Sequence, residues 1–306
     1  MTKPPDSPFK IVIFDLDGVL VPIHSSWQHV HKALQVDNEE NYRKYVLGQI
    51  SYNEFMRSDI ALWKNVHLQD LETILQDVPL ANGARETLRT LHRRRVKTAI
   101  VSSGISILAQ RIGAELGIIH IHANELAADE EGHLTGEAEV TVPLDGKQDI
   151  ATRILQEESI DPEQAAVVGD SIFDIPPTDQ VGLTIVYNAH DPEAEAKADV
   201  AIRGSDVRLI LPWLTSGPPI KASITLITGE KEAGSIATAL APDNTKTPQG
   251  LQVRAAQQGR AVYLKITTVK GHRTMLSTID DLLSCTQVAV AALDTAKHHR
   301  KMDKTI

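Results

Sequence analysis

The chain has 306 residues, 42% hydrophobic and 23% charged, a globular balance with room for one large domain or two ordinary ones. No run approaches 18 consecutive apolar residues, so no membrane span is expected. Met1-Thr2-Lys3-Pro4-Pro5-Asp6 lacks the apolar core of a signal peptide, and the single Cys285 excludes an internal disulfide framework; both point to a cytoplasmic protein. The net charge of −9 is unevenly spread. Residues 1–218 carry 19 Lys and Arg against 33 Asp and Glu (−14), whereas 219–306 carry 12 against 7 (+5). Opposite signs suggest two modules with different partners; uneven surface charge is the plainer alternative.

Lys10-Ile11-Val12-Ile13-Phe14 is an apolar run of strand length, fit for burial on both faces of a parallel sheet. It ends in Asp15-Leu16-Asp17-Gly18. Carboxylates held together at the carboxyl end of such a strand need a cation or a proton between them. Magnesium suits them, and a carboxylate can also act as a nucleophile toward phosphorus. Taken alone, the same residues read equally as a strand followed by an Asp-Gly turn.

From 22 to about 80 the pattern is helical, with Trp27, Val30 and Leu34, then Tyr42, Tyr45 and Val46, then Phe55, Ile60 and Trp63 at helical spacing. This stretch reads as a helical cap over the mouth of the first strand. Its aromatics read mostly as cap core, with one or two facing substrate. A helix over 83–94 leads to a strand over 96–101. There Ser102-Ser103-Gly104 reads as a turn opening a helix from Ile105 to Leu116, an anion-binding arrangement or a simple serine cap. Ile118–Asn124 is a strand whose His120 and His122 read as ordinary strand histidines, and 125–142 a hairpin excursion. Lys147 opens the next helix, where a cation opposes the helix dipole; that conflict suggests pairing with a phosphate or with the aspartates.

Ala165–Val168 repeats the opening logic, ending in Gly169-Asp170 with Asp174 four residues on. Asp170 can complete a metal site with Asp15 and Asp17, while Asp174 braces it or binds Lys147. Strands follow at 182–187 and 200–202, then a linker at Ser216-Gly217-Pro218-Pro219. Beyond it, 222–228 alternates, 232–240 is a helix stopped by Pro242, and 251–266 is a hairpin about Gln257-Gln258-Gly259. A long helix runs from His272 to Lys297. Its apolar face (Leu276, Ile279, Leu283, Thr286, Val290 and Leu293, with Met275, Leu282 and Ala289 alongside) is wide for one small sheet and suggests self-association.

Asp15-Leu16-Asp17-Gly18, Ser102, Lys147 and Gly169-Asp170 through Asp174, in this order, resemble the haloacid dehalogenase phosphatase superfamily over about 9–211. Val101-Ser102-Ser103-Gly104 and the helical cap look like its phosphoserine phosphatase branch. The resemblance implies a Rossmann-like doubly wound parallel α/β sheet. It makes Asp15 the nucleophile and Asp17 the general acid and base, with Ser102, Ser103, Gly104 and Lys147 holding the phosphoryl group. Asp15, the Asp17 carbonyl and Asp170 would hold magnesium, with Asp174 in support. One departure is visible. The branch places a glutamate soon after the first motif to meet the substrate ammonium, but Val21-Pro22-Ile23-His24-Ser25-Ser26-Trp27 has no acid. A small phosphorylated metabolite is the expected substrate, with phosphoserine not preferred over simple phosphomonoesters.

Residues 220–295 resemble the small subunit of the KEOPS complex, through Ala239-Leu240-Ala241-Pro242-Asp243-Asn244, the hairpin, and Met275–Leu283. That resemblance implies a small α+β domain, an antiparallel sheet with two helices, acting as a homodimerisation module. It further implies contact with the KEOPS catalytic subunit and tRNA, in threonylcarbamoyladenosine synthesis. The organisation expected is thus a phosphatase domain over 1–215 with its cap at about 22–80, a linker at 216–219, and the dimerisation domain over 220–306. A non-catalytic scaffold in a KEOPS-like complex, and a phosphotransferase or dehalogenase on the same fold, are the competing readings.

Overall fold

Ile11–Phe14 (β1), four residues without exposed surface, is the central strand of a seven-stranded sheet. The computed structural model describes residues 7–177, 180–244 and 247–302; the N-terminal segment Met1–Asp6 read for a signal peptide lies outside these. The chain divides into two compact units, Met1–Thr215 and Ser216–Ile306.

In the first unit β1 is followed by α1 (Ser26–Leu34), α2 (Glu39–Val46), α3 (Tyr52–Ala61) and α4 (Leu68–Gln76), which form the cap. Then come α5 (Ala84–Arg93), β2 (Lys97–Ile105), α6 (Ser106–Leu116), β3 (His120–Ala128), β4 (Leu134–Glu139) and α7 (Lys147–Glu157). The unit closes with β5 (Ala165–Gly169), β6 (Leu183–Tyr187), α8 (Pro192–Lys197), β7 (Val200–Ile202) and α9 (Leu211–Thr215). The strand order is β4-β3-β2-β1-β5-β6-β7, parallel throughout except for β4. Ile11, Ile13, Val101 and Val167 pack on Ile150, Ile154 and Leu155 of α7, one face of a sheet whose central strands are apolar on both sides.

The cap helices carry their own start signals. Ser25 accepts from the Gln28 N–H, and Ser51 with Glu54 forms a reciprocal capping box. Inside the cap, the Trp63 indole N–H donates to His31 Nδ1 at 3.0 Å, and His31 Nε2–H meets Asp59 at 3.0 Å. This buried chain ties α1 to α3. The β3–β4 hairpin supports the cap from below: Asn65 N–H donates to Leu134 O, Leu134 N–H to Val66 O, and Leu68 N–H to Gly132 O.

Two boundaries differ from expectation in this unit. Ser102-Ser103-Gly104 is not a turn; the extended backbone of β2 carries on through it to Ile105, with a register shift against β3 between Val101 and Ile105. Small residues read as a turn, but here they let the strand edge pass close beneath the cap. β3 likewise runs on to Ala128, because its end pairs with β4 rather than stopping at the sheet.

The second unit comprises β8 (Ile220–Ile227), α10 (Glu230–Asn244), β9 (Leu251–Gln258), β10 (Ala261–Thr268) and α11 (His272–Met302). Its sheet is antiparallel, in the order β8-β10-β9. Val253, Val262, Leu264 and Ile266 pack on Ala233, Ile236 and Leu240 of α10 and on Met275 and Leu282 of α11. α10 passes through Pro242 rather than stopping before it, since proline there forfeits one backbone bond in the final turn alone. α11 extends past Lys297, and its apolar face splits in two. Met275, Leu282, Ile279, Ala289 and Leu293 turn inward. Leu276, Leu283 and Val290, seven residues apart, remain 63%, 39% and 40% exposed. By length and composition alone His272–Ala296 of this helix would suffice to cross a membrane, but its inward face packs on the small sheet.

Candidate active site

β1 leads to β2 on one side and has β5 on the other, so a crevice opens at the carboxyl end of β1. Asp15 follows β1 directly, its N–H held by Val168 O of β5 at 2.9 Å. The chain then winds tightly, with the Leu20 and Val21 N–H groups both returning to Leu16 O. Gly18 closes this turn at φ +75°, and a Cβ there would lie 2.1 Å from Asp170 Oδ2. Only glycine lets the first motif press against the Gly-Asp end of β5.

Lys147, the first residue of α7, is buried with its Nζ 3.0 Å from Asp15 Oδ1 and 2.6 Å from Asp174 Oδ1. The two carboxylates offset its unfavourable place at a helix start. Asp174 is saturated: Oδ2 also accepts from Ser171 Oγ (2.7 Å), Ser171 N (3.0 Å) and Asp170 N (3.2 Å). It therefore braces the site. Asp170 is left with the His190 imidazole at 3.5 Å, and so has a carboxylate available to a cation.

Asp17 is held from the cap. Its Oδ2 accepts from Ser26 N at 2.7 Å and from Ser26 Oγ at 2.8 Å, and its buried Oδ1 has no partner. Ser26 Oγ in turn accepts from Ile105 N–H at 3.2 Å. The Gly104 N–H donates to Ser102 Oγ at 3.0 Å. The amides expected to be free for an anion at 104 and 105 are thus taken by hydroxyls, because β2 stays extended here instead of entering the helix. The Ser102 hydroxyl proton remains available for a phosphoryl oxygen. Ser103 Oγ lies buried toward the Tyr52 phenol without a well-formed bond. A Cβ on Gly104 would come 2.6 Å from Ser26 Oγ and 3.0 Å from Asp17 Oδ2, so glycine is required for this approach as well.

Four buried carboxylates face one ammonium. Burial, with Asp174 next, pushes Asp15 up to about 7 against the pull of Lys147. Burial and then Asp15 push Asp170 up to about 8. Asp17 is raised by burial, against its bonds from Ser26. Burial works against the Lys147 ammonium, yet Asp15 and Asp174 outweigh it and keep the lysine charged. Asp15, Asp170 and Asp174 lie close enough to share one ion. An excess of negative charge and an all-oxygen donor set fit a hard divalent cation. At the mouth, His24 and His190 stand edge to face at 4.2 Å beside Asp170.

A pH dependence follows from these shifts. A carboxyl with a raised folded pKa adds stability that is complete below its unfolded value near 4 and lost as pH rises through the folded value. The chelated protein is therefore expected to melt progressively lower from pH 5 to pH 8. Added magnesium should reverse the trend, binding more tightly as the protons of Asp15 and Asp170 leave between about 7 and 8. Thermal melts with and without the metal check this; a chelated protein that grows more stable toward pH 8 would contradict it.

The sequence-predicted residues Asp15, Asp17, Ser102, Ser103, Gly104, Lys147 and Asp170 all line one cavity, with Asp174 behind them. Sequence reading missed Ser26, Asn124 and His190, and did not single out Trp27 and Tyr52 among the cap aromatics. Trp27 Nε1 and Asn124 Nδ2 both donate to Ser103 O at 2.9 Å and fix that strand edge. The cap aromatics are also not mainly core. Trp63 is fully buried, but Trp27, Tyr42, Tyr45, Tyr52 and Phe55 line the cavity.

A model of the haloacid dehalogenase-like hydrolases matches residues 9–182, more than half of the chain. The chain belongs to the haloacid dehalogenase-like hydrolases. The phosphoserine phosphatase of Methanocaldococcus jannaschii is 29% identical over 207 residues, 67% of this chain and 97% of that protein. That of Archaeoglobus fulgidus is 30% identical over 184 residues, 60% of this chain and 53% of that protein. A solved phospho-aspartyl intermediate analogue of a phosphoserine phosphatase superposes with a TM-score of 0.60 at 28% identity, covering 67% of this chain and 99% of that one. A substrate-bound phosphoserine phosphatase complex gives 0.60 at 27%, covering 67% and 98%. This haloacid dehalogenase-like hydrolase is an enzyme of the phosphatase type, in the phosphoserine phosphatase-like branch. The family match ends at residue 182, before the second unit begins.

Proposed function

We propose that the protein is a magnesium-dependent phosphomonoester hydrolase working through an aspartyl-phosphate. The observation that carries this reading is the convergence of Asp15, Asp17, Ser102, Lys147 and Asp170 around one cavity. An Asp15 oxygen attacks phosphorus as the ester P–O bond breaks. The Asp17 carboxyl proton passes to the departing oxygen. Lys147 and the Ser102 hydroxyl hold the phosphoryl oxygens throughout. A water then attacks the aspartyl-phosphate, giving a proton to Asp17, and the P–O bond to Asp15 breaks, releasing phosphate. Asp15, Asp170 and the Asp17 carbonyl would hold magnesium, which would supply charge neutralisation to the phosphoryl group and the crowded carboxylates. Such catalysis is mostly positioning and electrostatics, which a rigid strand edge provides. Brief exposure to a phosphate-labelled ester with magnesium should leave a hydroxylamine-labile label on Asp15, and chelation should remove both label and turnover. Turnover that persists in chelator, or a label elsewhere, would sink the reading.

We further propose that residues 216–306 form a homodimerising module, of the kind implied by the resemblance to the KEOPS small subunit. In support stand the segments at 239–244 and 275–283, the local charge of +5, and the exposed heptad stripe of Leu276, Leu283 and Val290. A two-fold pairing of α11 with its copy would cover that stripe. Contact with the KEOPS catalytic subunit and tRNA is part of this proposal. Sedimentation should show a dimer for the full chain and a monomer for the chain truncated after Gly217. Leu283→Asp with Val290→Asp should abolish the dimer through unpaired buried charge. A truncated chain that still dimerises would assign assembly to the first unit.

A further inference from the structure

The cavity above Asp15 holds about 580 Å³, within the range of sites that enclose drug-sized ligands. Its floor is the phosphoryl site. Its walls carry Trp27, Tyr42, Tyr45, Tyr52, Phe55 and Phe173, six of the chain's twelve Phe, Tyr and Trp residues. A protein this poor in aromatics has placed half of them around one space.

Their arrangement is that of a wall already stacked for a flat partner. Tyr45 lies parallel to Phe55 at 5.1 Å and 14°, with Tyr52 edge-on to Tyr45 at 6.0 Å and Tyr42 tilted on Phe55 at 6.2 Å. Tyr42, from the cap, and Phe173, from the turn after β5, keep 51% and 44% of their surface exposed. Exposed rings lining a concave site attract other rings through offset or edge-to-face contact. The phenols add polar edges that suit ring heteroatoms.

The charged groups point the same way. Outside the catalytic set, the carboxylates at this cavity are Glu39 and Asp59. Asp59 is buried and committed to His31 Nε2 at 3.0 Å and Asn38 Nδ2 at 2.8 Å. Glu39 sits in the exposed first turn of α2, where the helix N-terminus favours it. No carboxylate stands between Val19 and Gln28. A small amino-acid ester would find only Glu39 to neutralise its ammonium and would leave most of the cavity to water.

We infer that the preferred substrate is a phosphomonoester whose alcohol portion carries a planar aromatic or heteroaromatic ring, bound between the tyrosine wall of the cap and Phe173. The inference rests on the phosphatase reading and names its substrate class. The probes are four alkyl phosphomonoesters, so that leaving-group basicity does not decide the order: benzyl phosphate and adenosine 5′-monophosphate against phosphoserine and glycerol 3-phosphate. With magnesium present, kcat/KM is expected to be at least about tenfold higher for the ring-bearing pair, mostly through KM. In Tyr42→Ala and in Phe173→Ala the ratio between the two pairs should shrink to about threefold or less. Both side chains are substantially exposed, so thermal melts should match the parent and separate lost preference from lost fold. Equal or better turnover of phosphoserine or glycerol 3-phosphate would overturn the inference and leave the phosphatase reading standing. No turnover of any of the four would take down that reading and the inference with it.

Discussion

Asp15→Asn is expected to lower turnover of any phosphomonoester by at least about 10⁴-fold, the scale seen when a covalent nucleophile is removed. The amide nearly matches the carboxylate in shape, can turn its oxygen toward Lys147 Nζ, and is a far poorer nucleophile. The substitution also removes one of four buried carboxylates that repel each other. The variant should therefore melt at or above the temperature of the parent. Loss of activity together with unchanged or raised thermal stability separates chemistry from folding. Purified Asp15→Asn protein within about tenfold of parental activity would remove Asp15 from its role.

The second large effect belongs to Asp17→Asn, and its size depends on the substrate. Asp17 Oδ2 is fully occupied by Ser26, so the proton the mechanism needs sits on Oδ1, which is buried and unpartnered. An asparagine can keep a bond with Ser26 but has no acidic proton to give. An alkyl ester, whose leaving oxygen is strongly basic, should lose roughly 10²–10⁴-fold, the usual worth of a positioned acid. Nitrophenyl phosphate, with its weakly basic leaving group, should lose about tenfold or less in the first step. Rates plotted against leaving-group pKa should be steeper for the variant than for the parent. Parallel plots would mean that Asp17 does not donate the proton.

Much of this was legible in the residues. Ile11–Phe14 and Ala165–Val168 are apolar runs too short for helices, and each leads into aspartate, so the residues alone place the two carboxylate clusters on strand ends. Lys147 announced itself by sitting where the helix dipole disfavours it. What escaped were contacts set by tertiary structure. Ser25 and Ser26 look alike as helix starters. Ser25 caps, while Ser26 reaches nine residues back to Asp17, and no local rule distinguishes them. The cap aromatics were misjudged because helical spacing reports that a face is covered, not whether a cavity or a core covers it. Ser102-Ser103-Gly104 has turn-like composition, but the pairing of Val101 and Ile105 with β3 on either side and the need for close approach keep it extended.

Ser26 sits on the first turn of α1, and its hydroxyl joins Asp17 to Ile105 N–H at the end of β2. One side chain thus belongs at once to the lid, the proposed proton donor and the sheet. This has a consequence for protein engineers and for gene fusion in evolution. The cap is not an interchangeable cartridge. A chimera that takes its lid from a relative and joins it downstream of Trp27 keeps the wiring of the acid, whereas one that joins it between Gly18 and Ser25 inherits whatever residue the donor has at this place. The tolerated crossover point in this fold is therefore set by a hydroxyl, not by the visible edge of the helical insertion.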